Sequence, residues 1–245
     1  MNGDREPRWG PADVGALPAH LVAAQRAAGL PECTFDQLLA AAPADARALH
    51  RVLLASLATG EGVPPTAEAA AAAGLTADRA RAALAELVAA ELVAADAAGA
   101  VTGVFPLSAV PTRHVVRLDD GRRLYAMCAV DALGVPAMLG RPATVDSADP
   151  GTGRPVRVEV PAGNPGDAPE GDAQPPVPDP PEAVVLLART GTGPLASECC
   201  SVIDFYDDPT EANAALEQRG MTGVVLPLRD AHALGVALFG RLPAT

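Results

Sequence analysis

A thiol and a carboxylate stand three residues apart in an otherwise apolar stretch. The segment YAMCAVDALGVPAMLG (125–140) contains Cys128 and Asp131, and the pattern after Cys128 predicts a helix, on which positions i and i+3 share one face. Because Cys128 stands where a strand changes to this helix, the helix dipole should favour its thiolate. Desolvation should raise the pKa of the Asp131 carboxyl. The pair therefore offers a soft ligand beside a proton donor, although a buried structural cysteine and a capping aspartate share this spacing.

Two adjacent cysteines occur in a second segment, ASECCSVIDFY (196–206). If Cys199 and Cys200 enter a strand, their side chains point to opposite faces, so one can meet Cys128 while the other points away. Two converging thiolates suit a soft metal ion, whereas the alternative is that both cysteines only pack. The four histidines and four cysteines show no CxxC or HxxxH spacing, so a conventional zinc site is not expected.

The amino-acid composition and net charge limit the class of protein, its partners and its cellular compartment. The chain has 245 residues, 49% of them hydrophobic, and a net charge of −12. This predicts a folded protein and argues against nucleic acid as the main partner, because phosphate binding needs a concentrated positive surface. The N-terminus has no apolar signal region, and no run reaches the roughly 18 apolar residues that cross a bilayer. We therefore expect no membrane partner and a cytoplasmic protein, in which Cys33, Cys128, Cys199 and Cys200 stay reduced.

The order of elements in the N-terminal half predicts a winged-helix-like module over residues 34–110, after an N-terminal extension over 1–33. Three helical patterns are followed by two short strands around a glycine turn, with Thr66 and Thr76 as expected N-caps. Residues 34–105 hold eight acidic residues against four arginines. This charge disfavours DNA binding, so we interpret the module as structural.

Residues 111–245 are predicted to form a mixed α/β catalytic domain with mostly antiparallel strands, which makes the whole chain α+β. A hairpin is expected over 113–127 around an Asp-Gly turn. Pro136 is expected to end or kink the helix that follows. The segment 161–182 holds eight prolines and is expected to form an insertion without a packed element.

Two segments together resemble one known family. The stretch RRLYAMCAVDALGVPAMLGRPATVDSADPGTGRPVRVEV (122–160) resembles the core of the alkylmercury (organomercurial) lyases, with an Arg-Leu-Tyr-Ala lead-in, Cys-x-x-Asp, Pro-Ala-x-x-Gly-Arg and a Thr-Gly turn before a strand. The stretch SECCSVIDFY (197–206) resembles the second cysteine segment of that family. The winged-helix-like module is also similar to the family's architecture. The resemblance covers about residues 40–240 and its motifs are specific in combination.

The resemblance implies an activity and a set of site residues. Cys128 matches the first catalytic thiol, Asp131 the catalytic acid and Cys199 the second catalytic thiol, while Cys200 matches a neighbouring cysteine that is not essential. The implied reaction is protonolysis of a carbon–mercury bond in an organomercurial small molecule. Asp131 passes a thiol proton to carbon, and Hg(II) stays on Cys128, Asp131 and Cys199. No organic cofactor is implied; free cytosolic thiols are co-reactants, and these thiols or a mercuric reductase would remove the ion.

The sequence departs from the family pattern at three positions. Met127 and Glu198 replace aromatic residues before the two cysteine segments, and Asp149 lies about where a structural cysteine is expected. Two alternatives therefore stay open: a soft-metal-binding or transfer protein on the same fold without lyase activity, and a thiol-based winged-helix regulator. Metal storage needs thiols but no proton donor, so the carboxylate separates the lyase from the first alternative.

Overall fold

The computed structural model describes residues 17–30, 35–162 and 175–239, so Cys33 lies outside the described residues. Within these ranges the chain forms nine helices and eleven strands. The helices are α1 (Ala19–Ala27), α2 (Phe35–Ala41), α3 (Ala44–Thr59), α4 (Thr66–Ala72), α5 (Ala77–Ala89), α6 (Ala129–Leu139), α7 (Leu195–Glu198), α8 (Pro209–Gln218) and α9 (Leu228–Leu238). The strands are β1 (Val93–Ala95), β2 (Val101–Val104), β3 (Leu107–Ser108), β4 (Val115–Leu118), β5 (Arg123–Ala126), β6 (Ala143–Ala148), β7 (Pro155–Val160), β8 (Val177–Asp179), β9 (Val184–Arg189), β10 (Asp204–Tyr206) and β11 (Thr222–Pro227).

The strands form two antiparallel sheets. The larger sheet has the order β1-β2-β3-β5-β4-β6-β7-β8, and the smaller one has the order β10-β9-β11. Every strand pair in the described part of the chain is antiparallel. The predicted combination of helices with antiparallel strands is therefore confirmed.

The large sheet crosses the boundary that we predicted at residue 110. Strand β3 pairs with β5, with Leu107 opposite Ala126. The β1–β2 hairpin therefore forms one edge of the same sheet that contains β5, the strand before Cys128. One continuous hydrophobic core includes Leu49 and Leu54 of α3 together with Leu133 of α6. The assignment of 34–110 as a winged helix stays a prediction.

One of the two predicted N-caps in the N-terminal half is confirmed by the structure. The Thr76 hydroxyl accepts the N–H of Arg79 at 3.3 Å, as an N-cap should. The prediction for Thr66 was wrong, because Pro65 takes the N-cap position and Thr66 is the first helical residue. The extended backbone of Pro65 (φ −51°, ψ 141°) fits that position.

Helix α6 lies in the middle of the molecule. Every residue from Ala129 to Met138 is buried, as expected for a helix that is apolar all round. The helix does not end at Pro136 but continues to Leu139 and closes at Gly140, whose φ is 64°. The proline ring removes only one backbone donor, and packing on all sides holds the last turn.

Two glycines bring α6 and α9 close together. A Cβ atom at Gly134 would lie 2.5 Å from the carbonyl oxygen of Gly235 and 2.7 Å from the Phe239 ring. Neither position therefore accepts a side chain without displacing the neighbouring backbone. This crossing sets the depth at which α6 sits in the core.

Part of the proline-rich insertion packs against the large sheet. Residues 163–174 lie outside the described residues, but β8 pairs with β7, with Arg157 opposite Asp179. The prediction that no packed element forms over 161–182 was therefore wrong for β8. Pro178 is tolerated because β8 is an edge strand, where a missing N–H leaves no ladder bond unmade.

Helix α1, from the predicted N-terminal extension, packs against the rest of the molecule. Leu21 is fully buried, and the Arg189 guanidinium donates to the carbonyl of Gly29 at 3.1 Å. The N-terminal segment thus reaches the small sheet near the second cysteine segment. Among the described helices, none combines the length and the apolar character that a membrane span requires.

Candidate active site

Cys128 and Asp131 are arranged as the local sequence predicts. Strand β5 ends at Ala126, and Cys128 is the N-cap of α6 with an extended backbone (φ −150°, ψ 179°). Its sulfur accepts the N–H of Asp131 at 3.5 Å, so the two side chains share the first turn. Both are buried, with exposed fractions of 2% for Cys128 and 4% for Asp131.

The second cysteine segment is a helical turn, not the start of a strand. The N–H groups of Cys199 and Cys200 both donate to the carbonyl of Leu195 at 2.9 Å, and Cys199 has a helical backbone (φ −115°, ψ −62°). Strand β10 begins only at Asp204. Strand alternation therefore does not direct the two cysteine side chains in this turn.

Cys200 is the cysteine that reaches Cys128 and Asp131. One ligand atom from each of these three residues lies within 4.8 Å of the other two, and this is the one such cluster found within the described residues. Cys200 and Cys128 also share a hydrogen bond between their thiols. Cys199 is not part of this group, and its assignment as a site residue stays a prediction; we call Cys128, Asp131 and Cys200 the thiol–carboxyl cluster.

Cys199 lies in the same cavity outside the cluster. It is 2% exposed, and the charges that act on its thiol are those of Arg189, Cys200, Glu91 and Glu198. Burial raises the pKa of its thiol to about 12. Its expected role as the second catalytic thiol stays a prediction, now without contact to Asp131 in its support.

Burial dominates the protonation of the cluster. It raises the pKa of Asp131 to about 7, while hydrogen bonds with Cys128 act in the opposite direction. It also raises the pKa of Cys128 well above the ordinary range, helped by the hydrogen bond with Cys200. Our expectation of a lowered pKa at Cys128 was therefore wrong, because desolvation outweighs the helix N-terminus. Both thiols of the cluster are therefore protonated near neutral pH, and a metal ion must displace their protons to bind the sulfurs.

The cluster opens into a small apolar cavity of about 70 Å³. The other lining residues come from α1, α2, α6, α7, α9, β9 and the connecting loops: Gln25, Leu30, Phe35, Leu38, Phe105, Val130, Leu187, Leu195, Ile203, Leu234 and Leu238. The lining carries no signal in the sequence, since its members are ordinary core residues far apart in the chain. Its lining combines an apolar wall with sulfur atoms, which suits the organic group and the soft atom of a small molecule.

The three departures from the family pattern lie outside the cavity lining. Met127 packs against Gly103 of β2. The Glu198 carboxylate accepts the Thr190 hydroxyl at 2.5 Å. Asp149 is buried and accepts the N–H groups of Gly151 and Thr152, each at 2.8 Å. None of the three places a charge beside the cluster.

Comparison with known proteins gives consistent matches over most of the chain. The family model described as "MerB: Alkylmercury lyase" matches residues 107–240. The alkylmercury lyase of Staphylococcus epidermidis is 34% identical over 194 residues, which cover 79% of this chain and 82% of that protein. The alkylmercury lyase of Streptomyces lividans is 36% identical over 189 residues, or 76% of this chain and 80% of the relative.

A solved structure shows the same fold. It is described as the mercury-bound form of MerB2 and superposes with a TM-score of 0.67 at 23% sequence identity. The match covers 83% of this chain and 94% of the other. Likeness at this level of identity concerns the fold alone.

Proposed function

Since this chain belongs to the alkylmercury lyase family and is a carbon–mercury lyase, we propose that Cys128, Asp131 and Cys200 carry out the cleavage. The predicted resemblance and activity are thereby confirmed, whereas the assignment of the reacting groups is our proposal. The observation that supports it is the thiol–carboxyl cluster at the end of an apolar cavity. Soft thiolate ligands suit mercury, and the cavity wall suits its organic group.

The first step is thiol exchange at mercury. The organomercurial arrives with its organic group and one thiolate on the metal, and the Cys128 sulfur replaces that thiolate, which leaves with the Cys128 proton. The Cys200 sulfur then joins the metal and gives up its proton to the Asp131 carboxylate. A carboxyl with a pKa of about 7 can hold that proton and release it again near neutral pH.

The second step is protonolysis. Asp131 delivers the proton to the carbon bound to mercury, the carbon–mercury bond breaks, and the hydrocarbon leaves. Hg(II) stays on the two sulfurs with the Asp131 carboxylate beside them. Over both steps two thiol protons are consumed, one by the hydrocarbon and one by the departing thiol, so the atoms balance.

The rest of the cycle belongs to the same proposal. Free thiols enter as co-reactants and extract Hg(II), alone or by passing it to a mercuric reductase, and the chain's own protons and sulfurs supply the chemistry without an organic cofactor. Because the cluster must hold reduced thiols, we place the reaction in the cytoplasm. The sequence-based choice of Cys199 as second thiol and mercury ligand is the alternative within this mechanism.

The direct test is incubation of the purified protein with phenylmercury and excess thiol, followed by measurement of benzene. We expect benzene in molar excess over protein, which shows turnover. Binding of one mercury per chain without benzene would contradict the proposal and identify a soft-metal-binding protein instead.

A further inference from the structure

Helix α5 closes at a glutamate, where five other helices of the described chain close at a glycine. The closing residue has a left-handed backbone, which glycine adopts freely and which a side chain strains. The five glycines, all with positive φ, are Gly29, Gly60, Gly74, Gly140 and Gly220. Helix α5 instead closes at Glu91, whose φ is 57°. Within the described residues, Glu91 is the one non-glycine residue with a positive φ.

The backbone bonds at the end of α5 do not require a glutamate. The N–H of Glu91 donates to the carbonyl of Val88 at 3.1 Å, and the N–H of Leu92 donates to that of Leu87 at 2.9 Å. The same two bonds close α4 around Gly74, at 3.0 and 2.8 Å. Glycine makes them without strain. The strained residue at this position therefore indicates a role for the glutamate side chain.

The side chain of Glu91 reaches the turn that carries the two adjacent cysteines. Its carboxylate accepts the N–H of Leu195, the first residue of α7, at 3.3 Å. An N–H at the start of a helical turn has no partner inside that turn. The carbonyl of Leu195 in turn accepts the N–H groups of Cys199 and Cys200, each at 2.9 Å. One residue thus links Glu91 to the backbone of both cysteines.

This contact joins distant parts of the chain beside the cavity. Leu195 lines the cavity together with Asp131, and Glu91 lies close enough for its charge to act on the thiols of both cysteines in the turn. The end of the turn is attached to the segment after β9, because the N–H of Thr190 donates to the carbonyl of Glu198 at 3.0 Å. Glu91 adds an attachment at the start of the turn, from the N-terminal half of the chain.

We propose that Glu91 is a positioning residue of the lyase, whose carboxylate holds the turn that carries Cys199 and Cys200 in its place opposite Asp131. The inference rests on the part of the proposed function that places this turn in the active site, and it holds whichever of the two thiols binds mercury. A hydrogen bond at the start of a short turn fixes the direction of its side chains, whereas apolar packing alone tolerates rotation. Displacement of a reacting group by about 1 Å can cost ~10²-fold in rate.

The experiment measures Tm, and kcat and KM for benzene release from phenylmercury with excess thiol. Glu91→Gly removes the carboxylate and also the backbone strain, so we expect Tm to stay near or above that of the wild type. Its kcat should fall ~10- to 100-fold, with a smaller change in KM. Glu91→Gln should keep most of kcat, because its amide oxygen still accepts the N–H of Leu195. Glu86 is exposed on the same helix, so Glu86→Gln removes the same charge and should keep kcat.

A second measurement does not depend on turnover. In the metal-free protein, iodoacetamide labels a buried thiol only when the segment around it opens, and peptide mass mapping assigns the label to each cysteine. We expect Glu91→Gly to be labelled ~10-fold faster than the wild type at the cysteines of the turn, the effect of losing one hydrogen bond to a charged group. Glu91→Gln and Glu86→Gln should be labelled at the wild-type rate.

Wild-type kcat in Glu91→Gly, or an equal loss of kcat in Glu91→Gln, would overturn the inference. If Glu91→Gly does not fold, Glu91→Asn takes its place, because asparagine tolerates a left-handed backbone while its side chain is one methylene shorter and does not reach Leu195. A wild-type protein that releases no benzene contradicts the proposed function instead. In that case the labelling rate still decides the inference, which fails if Glu91→Gly and wild type are labelled equally fast.

Discussion

At the scale of single residues, a buried thiol keeps its proton until a cation takes its place. Burial raises the pKa of Cys128. At Cys200 the hydrogen bond with Cys128 lowers the pKa, but burial and the Asp131 charge together raise it above its ordinary value. The helix N-terminus does not remove the proton from a thiol buried in this way. A soft metal ion can displace it, because it binds thiolate strongly. Mercury binding itself must therefore release the protons; in the proposed mechanism the Cys128 proton leaves with the departing thiol and the Cys200 proton passes to Asp131.

Removing the carboxyl proton should separate binding from cleavage. Asp131→Asn keeps the size of the side chain and both thiols, so we expect it to retain one Hg(II) per chain in an intact-mass spectrum. Benzene release should fall by about 10²–10⁴-fold, the usual contribution of a positioned general acid. Cleavage at the wild-type rate would mean that Asp131 is only a buried capping residue and that the proton has another source.

The two adjacent cysteines should differ in their effect on turnover. Cys200→Ser should reduce benzene release to background, because it removes one of the two sulfurs that converge on Asp131. Cys199→Ser should retain far more activity, since Cys199 is not part of the group that converges on Asp131. The reverse result, with Cys199→Ser inactive and Cys200→Ser active, would restore the sequence-based assignment and refute the one made from the structure.

At the scale of elements, the crossing of α6 and α9 holds the site in place. The crossing depends on Gly134 and Gly235, whose backbones leave no room for a Cβ atom. Helix α6 carries Asp131 in its first turn and is capped by Cys128. A shift of α6 against α9 therefore moves both reacting groups together.

Gly134→Ala should destabilise the protein although alanine is the better helix former. Alanine gains about 1 kcal/mol in helix propensity, but the new methyl group would meet rigid backbone at 2.5 Å. We expect the free energy of unfolding to fall by roughly 1–3 kcal/mol, as for other overpacked cores, in urea denaturation. Gly151→Ala is the control, because its Cβ would meet nothing closer than 3.4 Å; equal stability of the two variants would disprove the close crossing.

Helix α5 would be the recognition helix of the predicted winged-helix module, and both of its arginines pair with acidic side chains. Arg79 contacts Asp45 at 2.6 Å and Arg81 contacts Asp78 at 2.8 Å. Fluorescence anisotropy with random duplex DNA at low salt should therefore show no binding tighter than ~10⁻⁴ M. Sub-micromolar, sequence-selective binding would favour the regulator hypothesis instead.

At the scale of the whole molecule, buried histidines link stability to pH. His50 belongs to α3 and is buried, and neither of its ring nitrogens has a hydrogen-bond partner among the described residues. Burial, with a smaller effect of Arg51, lowers its pKa to about 4. Burial also lowers the pKa of His232 to about 4. Both rings are therefore neutral in the folded protein at pH values where the unfolded chain is protonated.

The sign of the effect follows from proton uptake on unfolding. Between pH 6.5 and 4 the unfolded chain binds the proton that folded His50 excludes, so stability is full above about pH 6.5 and falls as the pH drops toward 4. The loss for His50 can reach roughly 3 kcal/mol. His50→Leu should flatten this part of the curve in urea denaturation at a series of pH values. An unchanged slope would show that His50 is hydrated or paired in the folded protein.

The sequence by itself determined the features that depend on neighbours along the chain. The relation of Cys128 to Asp131 follows from helix periodicity, and the hairpin before them follows from the Asp-Gly turn between Leu118 and Arg123. The combination of motifs around these residues was specific enough to predict the family. Each of these features requires only local hydrogen bonds and a few adjacent side chains.

Only the tertiary structure decided which second cysteine meets Cys128. Cys199 and Cys200 are equivalent by type and differ only in direction, and that direction depends on whether the segment is a strand or a helical turn. The contact between Glu91 and Leu195, and the cavity wall built from helices distant in sequence, are likewise products of long-range packing. The same holds for the raised thiol pKa, because desolvation is a property of everything packed around Cys128, whereas the helix N-terminus, the one influence visible in the local sequence, is the weaker of the two.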